Sequence, residues 1–177
     1  MINQHLASST DTIYLSFKKL RAIPPETFTY TDLCRLDVGY NRIKEIPNDI
    51  GNLGKLEELW LNDNSQLCSI SSCIEHCHKL RRLDISHTGL CSLPLELGRL
   101  QHLVEIKLTG TELEPEQAAA FAKGGTKGLM AHLHHKDVLR NLKNQMIQRL
   151  HEGLYREEAG EWLALYIYAR NFLHLYL

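Results

Sequence analysis

The chain has 177 residues, enough for one ordinary domain or a short repeat array. Lys and Arg number 20 against 21 Asp and Glu, a net charge of -1, without the cationic surplus that a nucleic-acid or anionic-membrane protein needs. Leucine is the outlier at 31 residues, and leucine in such excess implies a long helical bundle, a membrane protein or a repeat.

Residues 1–9 form an N-terminal segment. Met1 to Thr12 carry neither the charged start nor the apolar run of a secretory signal, and the five cysteines follow no disulfide-module spacing. Reduced thiols in the cytoplasm are therefore expected.

From residue 10 onward the chain repeats itself. Leu33, Leu56, Leu80 and Leu103 are spaced 23, 24 and 23 residues apart, and each opens the same pattern. Leu33-Leu36-Val38-Asn41 is followed by Leu56-Leu59-Leu61-Asn64, then Leu80-Leu83-Ile85-Thr88, then Leu103-Ile106-Leu108-Thr111. A degenerate copy with Ile13, Leu15, Leu20 and Ile23 precedes them, with Thr10 and Lys18 at two key positions. Ser65 or Gln66 is the extra residue of the longer unit, a bulge at its turn.

Positions 4 and 6 of each unit alternate inward on a short strand, and position 1 closes the turn. One coil cannot bury such a face alone, but stacked coils share a continuous core. The spacing predicts an α/β solenoid of about five short parallel strands. Asn at position 9 is expected to bond the backbone of neighbouring turns; Thr88 and Thr111 offer only a hydroxyl there, so this ladder should weaken toward the C-terminal end.

The second halves of the units have a signature of their own. Ile46-Pro47-Asn48-Asp49-Ile50-Gly51-Asn52-Leu53 and Leu93-Pro94-Leu95-Glu96-Leu97-Gly98-Arg99-Leu100 share one pattern, echoed by Ile23-Pro24-Pro25-Glu26-Thr27-Phe28. This resembles the Ras-group intracellular leucine-rich repeat family, whose 23-residue units carry LPxxIGxLxxL. The stretch from Leu113-Glu114-Pro115-Glu116 through Gly125-Thr126-Lys127-Gly128 to Leu133 is similar to that family's C-terminal helical cap. The resemblance covers about residues 10–135 and departs at Ser71, where the family has proline, and at Thr88 and Thr111. It implies a cytoplasmic adaptor or scaffold acting on a protein partner, in small-GTPase or phosphatase signalling. It does not name the partner, because fold does not fix function.

Strand residues not used by the core face outward on the concave side. Position 5 reads Tyr14, Asp37, Trp60, Asp84, Lys107; position 8 reads Phe17, Tyr40, Asp63, His87, Gly110. Position 3 reads Thr12, Arg35, Glu58, Arg82, Glu105, alternating in sign, which is expected to be a self-satisfied ladder rather than a binding column. Exposed aromatics beside acids have the make-up of an interface hot spot. The candidate protein-binding residues here are Tyr14, Phe17, Asp37, Tyr40, Trp60, Asp84 and His87, weighed against aromatics that merely cover one another.

The chemistry-bearing clusters are weak. Cys68, Cys73 and Cys77 with His76 and His78 lack the paired spacing of a zinc site, and Cys77 occupies the register of Leu53 and Leu100, a core position. Cys73 is expected to be exposed. His132, His134 and His135 read as solvated or facing a helix end. Gly124-Gly125-Thr126-Lys127-Gly128 lacks the phosphate-loop pattern. No cofactor, metal or enzymatic activity is expected.

Residues 136–177 lie outside the resemblance and read as a helical hairpin. Val138, Leu139, Leu142, Met146 and Leu150 recur at helical spacing, with Asp137 as an N-cap or first-turn acid and Gly153 as a stop. A second helix from about Glu157 is apolar on nearly every face beyond Trp162, and it falls short of a membrane span. It caps the solenoid, or it docks a partner or a second copy through Trp162, Tyr166 and Phe172. The expectation is a non-enzymatic interaction module. The alternative is a structural subunit of a larger assembly, anchored through these hydrophobic helices.

Overall fold

The computed structural model describes residues 11–151, Ala164 and Ile167. The 23-residue period becomes a stack of coils, each contributing one three-residue strand. These are β1 (Thr12–Tyr14), β2 (Arg35–Asp37), β4 (Glu58–Trp60), β6 (Arg82–Asp84) and β7 (Glu105–Lys107). They pair in parallel in the order β1-β2-β4-β6-β7, with equivalent repeat positions directly opposite, so that Ile13, Leu36, Leu59, Leu83 and Ile106 form one row. A second ladder of two strands, β3 (Glu45–Ile46) and β5 (Ser69–Ile70), lies further along the same coils.

The coils return through 3-10 turns at Pro25–Thr29, Asn48–Asn52, Ser72–His76 and Leu95–Arg99. Proline precedes three of them, at positions 24, 47 and 94, where its fixed φ and missing N–H suit a helix start. Ser71 takes the fourth place and compensates chemically: its hydroxyl accepts from the Cys73 amide and donates to Asn48 Oδ1 at 2.6 Å. The turns bury Phe28, Ile50, Ile74 and Leu97, which meet the strand leucines in one continuous core. Cys77 is fully buried in that core, as its register predicted, and burial pushes its thiol up to about 12. Cys73 is half-buried against the core instead of exposed, because the turn that carries it packs on its neighbours.

The asparagine ladder is formed as expected. Asn41 donates to the carbonyls of Leu15, Val38 and Gly39 and accepts from the amides of Lys18 and Leu20. Asn64 donates to Val38, Leu61 and Asn62 and accepts from Ile43. At the same positions Thr88 and Thr111 both donate to the single carbonyl of Ile85. The extra residue of the longer coil sits in the Ser65–Gln66 turn, closed by the Leu67 amide on the Asn64 carbonyl.

The C-terminal element is α1 (Pro115–His151), helical apart from Gly125 at φ 58° and ψ -147°. The interruption therefore falls at Gly125, and residues 135 and 136 are joined by uninterrupted helix. Asp137 is in mid-helix rather than at an N-cap; Gly153 lies outside the described residues. Leu129 and Leu133 drive into the core, and Gly98 lets the helix approach: a Cβ there would collide with the backbone nitrogen of His134. His135 is buried and His132 partly so, instead of both being solvated; His132 Nε2 lies 4.0 Å from Glu116, on the limb of the helix before Gly125. Trp162, Tyr166 and Phe172 lie outside the described residues.

Candidate interaction face

The outward side of the five-stranded sheet is built by register. Each strand offers two outward residues, positions 3 and 5, and the next turn adds position 8. All five position-8 residues are left-handed, with φ of 59° at Phe17, 52° at Tyr40, 56° at Asp63, 55° at His87 and 69° at Gly110. A non-glycine residue held there costs on the order of 1 kcal/mol, and the repeating coil imposes it on four of them. Only Gly110 escapes the cost, and it must also stay small, because a Cβ would strike the His87 ring.

Position 3 is an ion-pair ladder, as its alternating signs predicted. Glu58 accepts from Arg82 at 2.9 Å and faces Arg35 Nε at 3.3 Å, while Arg82 Nε faces Glu105 at 3.6 Å. The two arginines cover Glu58, leaving its side chain 11% exposed.

The aromatic residues gather at the N-terminal end of this face. Tyr14, Phe17, Tyr40 and Trp60 are 68%, 70%, 49% and 44% exposed. Phe17 and Tyr40 stack, centroids 4.3 Å apart and planes 9° from parallel, so in part these rings cover one another. The Asp63 carboxylate raises the Tyr40 phenol above its ordinary value. Tyr14 and Trp60 stand on either side of Asp37 in the position-5 row. They border a depression of about 70 Å³ also lined by Arg35, Leu36 and Glu58.

Asp37 and Asp84 adopt one posture. Each has Oδ1 fixed by the amide two residues on, Gly39 at 2.9 Å and Ser86 at 3.0 Å. Asp84 then meets Lys107 Nζ at 3.7 Å from the adjacent strand. Asp37 has aromatic neighbours in the equivalent places.

Sequence reasoning placed Tyr14, Asp37, Trp60 and Asp84 in one row, and Phe17, Tyr40 and His87 in another, and the structure does the same. It missed Arg35, Leu36 and Glu58 as walls of the depression; the signal was available in the strand register. Among the described residues no group of three or more His, Cys, Asp or Glu could hold a metal ion, and no helix is long and apolar enough to cross a membrane.

At the opposite end the helix finishes the ladders. The Thr126 hydroxyl accepts from the Ile106 amide of edge strand β7 at 3.1 Å. The glycines around it thus belong to the cap, as the sequence suggested. On the turn side, Arg99 joins Glu75 and Asp137, and Arg140 joins Glu96 and Asp137. Burial pushes the Asp137 carboxyl up, but Arg99 and then Arg140 outweigh it and hold it below the usual carboxylate range.

A leucine rich repeat family model matches residues 8–67. The chain is 35% identical over 106 residues to Leucine-rich repeat and calponin homology domain-containing protein 1 of Mus musculus, covering 59% of this chain and 14% of that protein. It is 32% identical over 112 residues to Plant intracellular Ras-group-related LRR protein 8 of Oryza sativa subsp. japonica, covering 60% of this chain and 29% of that one. The chain thus spans less than a third of the length of either relative. Among solved structures it is similar to a chain of the Drosophila Toll–Spatzle complex, with TM-score 0.52, 19% identity, and coverage of 60% of this chain and 15% of that one. The functional domain of InlJ from Listeria monocytogenes gives TM-score 0.51 and 20% identity, with 58% and 21% covered. At these identities the structural likeness speaks for the fold. Stacked parallel strands, buried asparagines and these matches agree: residues 12–108 are a solenoid of leucine-rich repeats, closed at its C-terminal end by a helix.

Proposed function

We propose that this chain is a non-enzymatic protein–protein interaction module that binds a partner protein on the outward face of its five-stranded sheet. The reading rests on one observation above all. Tyr14, Phe17, Tyr40 and Trp60, four large rings between 44% and 70% exposed, crowd one end of the outward face of the sheet. Exposed Trp and Tyr beside carboxylates supply large contact area, and such residues dominate interface energetics. Asp37, Asp84 and His87 surround them with polar contacts.

Five strands about 4.8 Å apart give a face roughly 20–25 Å wide, enough for a standard patch of ~800 Å² per partner. The relatives named for their leucine-rich repeats, one of them an intracellular Ras-group-related protein, favour an adaptor or scaffold in the cytoplasm. A small GTPase or a phosphatase pathway is the signalling setting this suggests.

The test is affinity purification with wild type, Trp60→Ala and Arg21→Ala in parallel, Arg21 being exposed and away from the strands. A protein retained by wild type and Arg21→Ala and lost with Trp60→Ala supports the reading. Equal retention by all three variants refutes it.

A further inference from the structure

We propose that the depression between Tyr14 and Trp60 is a receptor for one cationic side chain, the ammonium of a lysine or the guanidinium of an arginine on the partner protein, with Asp37 as its counter-ion. The inference rests on the sheet face being the binding surface and names the chemistry read there.

Asp37 stands apart from the other charges of the sheet. Seven charged residues lie on the five strands, and among the described residues six of them have an ion-pair partner within the sheet: Arg35, Arg82 and Glu105 through the Glu58 ladder, and Asp84 with Lys107. Asp37 has none. Its Oδ1 is held by the Gly39 amide in the way that Ser86 holds Asp84, so the carboxylate is oriented rather than free to turn toward bulk water. Where Asp84 meets Lys107 from the neighbouring strand, the two strand neighbours of Asp37 are Tyr14 and Trp60.

Those neighbours suit a cation. The faces of aromatic rings carry negative potential, and an ammonium or guanidinium between two of them above a carboxylate gains from all three groups. Tyr14 and Trp60 are two strand spacings apart, roughly 9–10 Å between backbones, which leaves a slot for one alkyl chain or planar guanidinium. The depression of about 70 Å³ is of that scale and has Leu36 at its floor. Arg35 and Glu58 on its border are already paired with each other, so Arg35 does not neutralise Asp37. The chain as a whole carries a net charge of only -1, so attraction of a basic segment here would be local.

The experiment uses the full chain and three capped peptides: hexalysine, hexaarginine and hexaglutamate. Titrations follow the Trp60 indole N–H resonance, assigned by its loss in Trp60→Phe. The expected result is saturable movement of that resonance with a basic peptide and none with hexaglutamate. Asp37→Asn should weaken the interaction on the order of tenfold, whereas Asp49→Asn, which removes the same charge from the exposed Asn48–Asn52 turn off the sheet, should leave it within about twofold. Equal weakening by both variants would mean diffuse attraction and overturn the proposal, as would an unaltered Asp37→Asn or no movement with either basic peptide. In that last case a captured partner that still needs Trp60 would leave the face itself standing as the binding surface.

Discussion

The side-chain amide of Gln117 accepts from the Leu93 amide at 2.9 Å and donates to the Leu93 carbonyl at 3.2 Å. It takes the place that a further coil would fill, since Leu93 has the register of Ile46, which pairs with Ile70 of the coil that follows it. Gln117 is 1% exposed, so water cannot substitute. Gln117→Leu should cost about 2–3 kcal/mol by leaving a buried donor and a buried acceptor unpaired. Urea unfolding measures this, and an unchanged midpoint would refute the capping role.

The position-9 ladder should be uneven in its energetics. Asn64 is fully buried and serves Val38, Leu61 and Ile43 at 3.0, 2.9 and 2.9 Å. Thr88 donates to Ile85 alone among backbone groups, at 2.8 Å. Asn64→Ala is expected to cost about 3 kcal/mol and Thr88→Ala about 1 kcal/mol, given the price of buried unpaired groups. Equal losses in paired denaturation curves would contradict the ladder as described.

Asp137 gives the protein a pH dependence of definite sign. Its carboxyl lies below the usual range when folded, so the native state binds the proton more weakly than the unfolded chain. The stabilisation is therefore full above about pH 4 and is lost as pH falls through the lowered native value. Asp137→Asn removes it at every pH. The stability gap between wild type and variant should be constant from about pH 7 to 5 and should close below about pH 4. A gap that instead widened in acid would reverse the assignment.

Gly98 is a test of close approach alone, because its backbone does not require glycine: the substitution meets the His134 and Leu133 backbone of α1, not a left-handed φ. Gly98→Ala should cost about 1–3 kcal/mol by overpacking. Hydrogen exchange would place the loss in α1 around Leu129 and Leu133, leaving amides of β2 and β4 protected. Uniform loss of protection would argue against a helix displaced locally.

Some of this was legible residue by residue. Asn41 and Asn64 could be assigned because each stands at a fixed distance from its strand, and the distance repeats. The pairing of Arg35, Glu58, Arg82 and Glu105 followed from alternating sign at one repeat position, although the burial of Glu58 between two guanidinia did not. Asp137 was misleading for a local reason: an acid ahead of an apolar helical pattern has the appearance of an N-cap, and only the arginines from other segments, Arg99 above all, reveal that it is an anchor within a continuous helix.

The sequence by itself determined the coil, its strands and the side of the sheet on which each residue stands, because stacking at a fixed period turns spacing along the chain into position in space. Only the tertiary structure decided how the stack ends. Gln117, Thr126 and Asp137 act on Leu93, Ile106 and Arg99, partners between 20 and 38 residues away and outside any repeat. It also decided which of two aspartates in equivalent positions has a cation, because that depends on lateral neighbours and side-chain reach across the sheet: Lys107 spans to Asp84, and the rings of Tyr14 and Trp60 stand where Asp37 would meet one.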